Sequence, residues 1–356
     1  MLSAMSAEAA TATPDVPTAA ALIRRALVLA IVLVAFVLAL SVLPGLDDVR
    51  DRLGHADPRW IAVIGACALA SMLSYVVALR GTLSRRIRWR YSWHLGMAEL
   101  GSNVLLPTGG VGGPALGALV LHRAGVPTAV AAPRSAALFL LTSATSFAAI
   151  ALAGAATGLG LLPSDASWVG TLLPAAIAIC VMTAVAALAR LPVGEPADGA
   201  GRVVRWRHRV AGLLRDGVQQ SAALLRARDP LVIGGCLGYL AFSIAAVAAA
   251  FEAFGGGGPA FGAFVLAYTL GQVGSLIPTP GGVGGTEGGL IGMFVVYGSP
   301  AAPAAAAVLA YRVFQLGLPV IFGLVAFREI RRRLRDEAQT AAVVARFKAE
   351  QDAADA

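Results

Sequence analysis

Runs of about twenty apolar residues recur from one end of this chain to the other, each long enough to cross a hydrocarbon layer about 30 Å thick at 1.5 Å per residue. They occupy Ala26 to Leu43, Trp60 to Leu79, Thr128 to Gly158, Ala166 to Ala189, Leu231 to Phe254 and Ala304 to Phe327. In lipid the peptide groups of such a run must satisfy one another, so the spans are helices and not open strands. Only 13% of the residues are charged, against about 25% in soluble domains, and the mean hydropathy is +0.76. The fold class expected is all-α, a polytopic integral membrane protein with no soluble domain large enough to carry chemistry.

The formal net charge of +8 comes mostly from Arg placed at the edges of apolar runs. That pattern marks topology and headgroup contact, and argues against a nucleic-acid partner. Five Arg (Arg80, Arg85, Arg86, Arg88, Arg90) follow the run ending at Leu79, whereas Asp47, Asp48, Asp51 and Asp57 crowd the connection before it. The positive-inside rule therefore puts the amino terminus and the Arg80 to Arg90 loop in the cytoplasm. Arg328, Arg331, Arg332, Arg333 and Arg335 put the carboxyl terminus there as well.

The resulting organisation has a disordered stretch at 1–21 and a first membrane half at 22–190. An Arg-rich cytoplasmic connection follows at 191–229, then a second membrane half at 230–327 and a charged cytoplasmic tail at 328–356. Between Val203 and Leu225 apolar residues alternate with Arg at helical spacing, which suits an amphipathic helix on an anionic leaflet or a solvated linker helix. Cys67, Cys180 and Cys236 are far apart within apolar runs, and His94 and His122 have no third ligand nearby. No metal site and no cofactor are expected.

The two halves share a motif. LLPTGGVGG at Leu105 to Gly113 recurs as LIPTPGGVGG at Leu276 to Gly285, with Pro280 inserted. Polar residues precede each copy, Glu99 with Asn103 in the first and Gln272 with Ser275 in the second, and downstream of each copy one Arg lies early in an apolar run, Arg134 and Arg312. Charge bookkeeping makes the segment 94–122 enter and leave on the cytoplasmic side and the segment 261–297 on the outside. The expectation is two inverted repeats, each with a re-entrant Gly/Pro-rich helical hairpin, meeting near the bilayer midplane.

The residue types suit a ligand-contacting break. Pro107, Pro278 and Pro280 stop a helix. Gly109, Gly110, Gly112 and Gly113 in the first copy, and Gly281, Gly282, Gly284 and Gly285 in the second, allow sharp turns and close backbone approach. A helix restarting near Thr286 and Glu287 would aim its first amides at the break. Close helix packing by small residues is the competing explanation. Glu287 and Arg312 are costly in lipid unless paired or wet, by about 2.5–3.5 kcal/mol each. Arg312 is a candidate for an anion, Arg134 for the same role or for snorkelling to the interface. Glu287 is left between pairing with Arg312, meeting a cationic headgroup and carrying a proton.

These paired motifs, and the P-x-P-G-G-x-G-x-x-E pattern from Pro278 to Glu287, resemble the lysylphosphatidylglycerol synthase transmembrane region family, the flippase part of the bacterial multiple peptide resistance factor. The resemblance spans roughly Arg24 to Arg333. It implies a lipid-translocating fold in the bacterial inner membrane, with a membrane phospholipid or lipid-linked molecule as substrate and a glycosyltransferase or lipid-modifying enzyme as a potential partner. After Phe327 only a short charged tail remains, so aminoacylation is not expected of this chain. Ala115 stands where Glu287 stands in the second copy, so the two half-sites should differ chemically.

The function expected is a flippase or lipid transporter. A membrane scaffold that holds a partner enzyme through the Arg-rich connection is the alternative. An intramembrane enzyme is disfavoured, because no Ser/His/Asp set, H-E-x-x-H or paired catalytic carboxylates are visible.

Overall fold

The computed structural model describes residues 24, 27, 56–83, 88–108, 110–124, 126–164, 166–190 and 201–334. The apolar run expected as a first span at Ala26 to Leu43 lies, apart from Leu27, outside the described residues, as does Gly109. Among the described residues the protein is helical and has no strand. Its helices are α1 (Pro58–Leu83), α2 (Trp89–Leu105), α3 (Gly112–Arg123), α4 (Thr128–Gly158), α5 (Trp168–Leu188), α6 (Arg202–Arg226), α7 (Pro230–Ala253), α8 (Phe261–Gly271), α9 (Gly285–Val296) and α10 (Ala301–Leu334). Two 3₁₀ turns, Gln272–Leu276 and Pro280–Gly282, link α8 to α9.

Among the described residues five helices, α1, α4, α5, α7 and α10, are long and apolar enough to cross a membrane. The other apolar helices are not. With 17 residues in α2, 12 in α3, 11 in α8 and 12 in α9, each falls short of the roughly 20 residues a crossing needs. Both short pairs are interrupted at the repeated motif, where proline removes amide donors and glycine takes backbone conformations closed to other residues. Gly110, Gly281, Gly282 and Gly284 have φ of 89°, 64°, 67° and 86°.

The pairing of helices is reciprocal between the halves. α1 packs along its counterpart α7, α2 of the first half packs on α10 of the second, and α8 of the second packs on α4 of the first. At one end of the bundle Asp57 N donates to Ala253 O at 3.2 Å, and Tyr297 Oη donates to Gly170 O at 2.6 Å. These bonds gather the start of α1, the end of α7, the start of α5 and the end of α9. At the other end Arg134 Nη1 donates to Leu83 O at 2.6 Å, and the Arg80 guanidinium lies 5.4 Å from the Trp89 ring centroid. There the end of α1 meets the starts of α2 and α4.

Small residues set how closely these helices approach. α2 and α10 cross at Gly101 and Gly323, where a Cβ on Gly323 would lie 2.7 Å from Gly101 Cα and 3.0 Å from Met97 O. Both atoms are backbone, so no side chain can swing aside. Gly323→Val should therefore overpack the crossing by about 1–3 kcal/mol and lower the thermal unfolding midpoint of the detergent-solubilised protein. An unchanged midpoint would mean that the two helices separate freely.

The amphipathic expectation for the Arg-rich connection corresponds to α6. This helix packs on α4 yet exposes Val204, Leu213 and Leu214 beside the exposed Arg207.

Candidate functional site

The two breaks of the repeated motif meet across a single cavity of about 220 Å³. Asn103, Leu106 and Gly110 from the first break line it together with Ser275, Thr279 and Gly281 from the second. α1 and α7 contribute Ser71 and Ser243, whose hydroxyls are 2.8 Å apart. α10 contributes Tyr311, Arg312 and Gln315. Sequence spacing alone could not have brought these groups together, because they come from five separate segments.

Among the described residues Arg312 is the one charged member of this lining, and it is only 3% exposed. Its Nε donates to Glu287 Oε1 at 2.7 Å, Nη1 to Gln315 Oε1 at 2.7 Å and Nη2 to Gly281 O at 2.6 Å. A guanidinium has five N–H donors. The bonded partners occupy one on each nitrogen, leaving a second N–H on each of Nη1 and Nη2. Arg312 thus ties α10 to the restart helix α9 and to the unwound Pro280–Gly282 turn, and it keeps donors for a ligand.

Glu287, 1% exposed, sits behind this contact and is not part of the lining. Its Oε2 accepts from Gly284 N at 2.7 Å, so the carboxylate both caps the first turn of α9 and balances Arg312. A carboxylate near a helix N-terminus also gains from the amides there. The sequence left open whether Glu287 pairs with Arg312, and the structure pairs them.

In the first half the equivalent bonding is uncharged. Gly113 N donates to Asn103 Oδ1 at 2.6 Å and Ser102 Oγ donates to Gly112 O at 3.2 Å. Asn103, from the preceding helix, therefore does for α3 what Glu287 does for α9. Ala115 at the matching position leaves no carboxylate to do it. Gly112 and Gly113 are buried and lie outside the cavity lining, as does Gly285, whereas Gly282 is buried and lines it. Pro107, Pro278 and Pro280 are exposed at the breaks.

The two arginines that follow the motif copies are not brought together. Arg134 is absent from the lining and holds the terminal carbonyl of α1 through the Leu83 bond. The residues not singled out beforehand as site residues are Ser71, Tyr239, Ser243, Gln272, Ser275, Thr279, Thr286, Tyr311 and Gln315. Gln272 and Ser275 were visible as polar residues upstream of the second copy, and Tyr311 and Gln315 lie within one turn of Arg312. For Ser71 and Ser243 the sequence carried no signal.

Glu99 occupies a separate place one helical turn from Asn103. It is 1% exposed, its Oε2 accepts from Tyr75 Oη at 2.7 Å, and its Oε1 lies against Gly117 with no hydrogen-bond partner among the described residues. Tyr75 in turn packs on Tyr239, with ring centroids 5.5 Å apart.

The described residues hold no group of three or more His, Cys, Asp or Glu able to hold a metal. The sequence model of one family, described as the lysylphosphatidylglycerol synthase TM region, matches residues 26–323. No curated protein matches the chain in sequence.

Proposed function

From the premise that the chain belongs to the lysylphosphatidylglycerol synthase TM region family, we propose that it moves a phospholipid or lipid-linked molecule across the bacterial inner membrane, its headgroup passing through the cavity between the two breaks. The observation that carries this reading is Arg312, a buried guanidinium held at the wall of a polar cavity with donors to spare. A charge is costly at such depth, and intramembrane ionisable residues characteristically serve a pathway. The arrangement has the parts that alternating access requires: broken helices whose ends meet at one site.

In this reading the α2–α3 and α8–α9 pairs are re-entrant hairpins of opposite orientation. The reciprocal packing of the halves supports that, as does the placement of Arg around one end of the bundle. The termini are cytoplasmic, and α6 rests on the anionic inner leaflet with Leu213 and Leu214 in the headgroup boundary and Arg207 toward phosphate.

Arg312→Lys tests the assignment, because lysine keeps the charge but cannot reproduce the fork that reaches three partners. In proteoliposomes with labelled phospholipid, wild type should move lipid well above the rate of empty liposomes, and the variant should be at least about tenfold slower. Equal rates for wild-type and empty liposomes, with a lipid-modifying enzyme co-purifying on the protein, would support a scaffold in place of a transporter.

A further inference from the structure

Glu99 is a buried carboxyl outside both the cavity lining and the Arg312 network. α2 carries it, 1% exposed, against α3, where a Cβ on Gly117 would fall on its Oε1. Oε2 accepts from Tyr75 Oη at 2.7 Å, and Oε1 has no hydrogen-bond partner among the described residues. One turn nearer the break, Asn103 Oδ1 accepts from Gly113 N at 2.6 Å. Two neighbouring side chains of α2 thus meet α3, Asn103 at Gly113 and Glu99 at Gly117, and Asn103 also lines the cavity. The matching contact in the second half is backbone on backbone. Gly289, four residues after Gly285 as Gly117 is after Gly113, there approaches the carbonyl of Gly271.

Tyr75 of α1 meets the Glu99 carboxyl directly, and Tyr239 and Cys236 of α7 stand behind Tyr75. α3 presents Gly117, and its titratable residues His122 and Arg123 lie in the last turn. The Pro280–Gly282 turn, which also packs on α2, carries no titratable residue. On α2 itself His94 is five residues back, its ring held against Arg90 O. α10 meets α2 at Met97 and Gly101. Glu99, two positions from each, is turned about 200° around the helix from them, so α10 carries Arg312, Arg328 and Glu329 along the other side.

We propose that Glu99 is a proton site, and that the α2–α3 hairpin opens as Glu99 gives up its proton and closes as it takes one up. A buried carboxylate needs several donors or a cation, and Tyr75 offers one bond. The neutral acid lacks only an acceptor for a single O–H, a smaller loss. The closed hairpin therefore holds the proton, and ionisation draws α3 away from Glu99 until water reaches Oε1. That movement pulls on the Gly113–Asn103 bond and so reaches the cavity wall. The proton site stands on its own geometry, whereas its use to drive lipid movement rests on the reading of the cavity as a transport path.

Infrared difference spectroscopy of the full chain in detergent, titrated from mildly acid to mildly alkaline pH, reads the proton. Wild type should show a protonated-carboxyl band that vanishes as pH rises and that Glu99→Gln lacks. Amide hydrogen exchange in α3 reads the hairpin. The ratio of wild type to Glu99→Gln at each pH cancels the intrinsic pH dependence of exchange, and should rise by about tenfold or more across the titration. Gly117→Ala is the second variant. Its Cβ evicts the carboxyl, so α3 should exchange fast at every pH, and adding Glu99→Ala should slow it again. In proteoliposomes an imposed pH gradient should change wild-type lipid movement severalfold and leave Glu99→Gln indifferent.

The absence of any band distinguishing wild type from Glu99→Gln overturns the proposal, as does an exchange ratio flat across the titration. Both signals with no lipid moved under any gradient would remove the transport reading and leave the proton site. Both signals with wild-type lipid movement that ignores the gradient would overturn the drive alone.

Discussion

Replacing Arg312 with alanine should destabilise the protein by about 3–5 kcal/mol, the cost of leaving one member of a buried ion pair without its partner. The geometry makes Arg312 harder to lose than an ordinary surface arginine. It is 3% exposed and holds three elements at once through Glu287, Gly281 and Gln315. Without it the Glu287 carboxylate keeps only the Gly284 amide, in a place where water does not replace the missing charge.

The coupling between the two residues can be isolated by a double-mutant cycle. Arg312→Met and Glu287→Met, made singly and together, close the cycle; the double variant removes both charges, fills the space with flexible apolar chains and should recover a large part of the stability lost in Arg312→Met. Lipid movement should remain at background in Arg312→Ala and in the double variant, since neither retains the guanidinium. Reversible unfolding in mixed detergent, followed by helical circular dichroism, gives the four free energies. A loss below about 1 kcal/mol in Arg312→Ala would mean that the pair is wet and contributes little.

The second large effect is expected where backbone meets backbone beside the break. A Cβ on Gly274 would collide with Gly285 O and come within 3.0 Å of Thr286 N, and one on Gly285 would collide with Gly274 O and lie 3.2 Å from Ile277 Cβ. One turn further along, a Cβ on Gly289 would collide with Gly271 O, and one on Gly271 would collide with Leu290 Cα. In both Gly274→Ala and Gly285→Ala the nearest atom is a backbone carbonyl oxygen that cannot swing aside, so the 3₁₀ turn and α9 must part.

Parting them carries Glu287 away from Arg312 and opens the cavity wall. Transport should therefore fall by more than tenfold in each, with a stability loss at or above the 1–3 kcal/mol typical of overpacking. Gly292→Ala is the matched control. It lies in the same helix with nothing within 4 Å of its added Cβ, and should be neutral or stabilising by about 0.5–1 kcal/mol. Equal effects of Gly285→Ala and Gly292→Ala would show that generic helix propensity, not the close approach, governs this segment.

Much of the fold was legible because lipid leaves a chain few options. Two apolar runs match their helices closely: Thr128 to Gly158 coincides with α4, and Leu231 to Phe254 is displaced from α7 by one residue. The helix restart near Thr286 begins at Gly285, as the glycines and Glu287 implied. Glu287 and Arg312 stood out from the sequence because ionisable groups are expensive in lipid, and that expense is what forces them together.

Other parts depended on distances that no periodicity encodes. Arg134 and Arg312 occupy parallel places after the two motif copies, yet one holds the end of α1 and the other the cavity wall. What separates them is which backbone carbonyl or carboxylate lies within reach. Asn103 had the right place but a different bond, since its oxygen caps α3.

By itself, then, the sequence determined a helical membrane protein with a doubled Gly/Pro motif and a small set of charges that had to be accommodated, because hydropathy, proline, glycine and charge act locally. Only the tertiary structure decided that both breaks face one cavity, that Glu287 stands behind Arg312 and outside its lining, and that Ser71 and Ser243 meet across α1 and α7. Those outcomes follow from the packing of helices far apart in the chain, where a glycine at a crossing fixes the approach and the approach fixes which polar groups share a space.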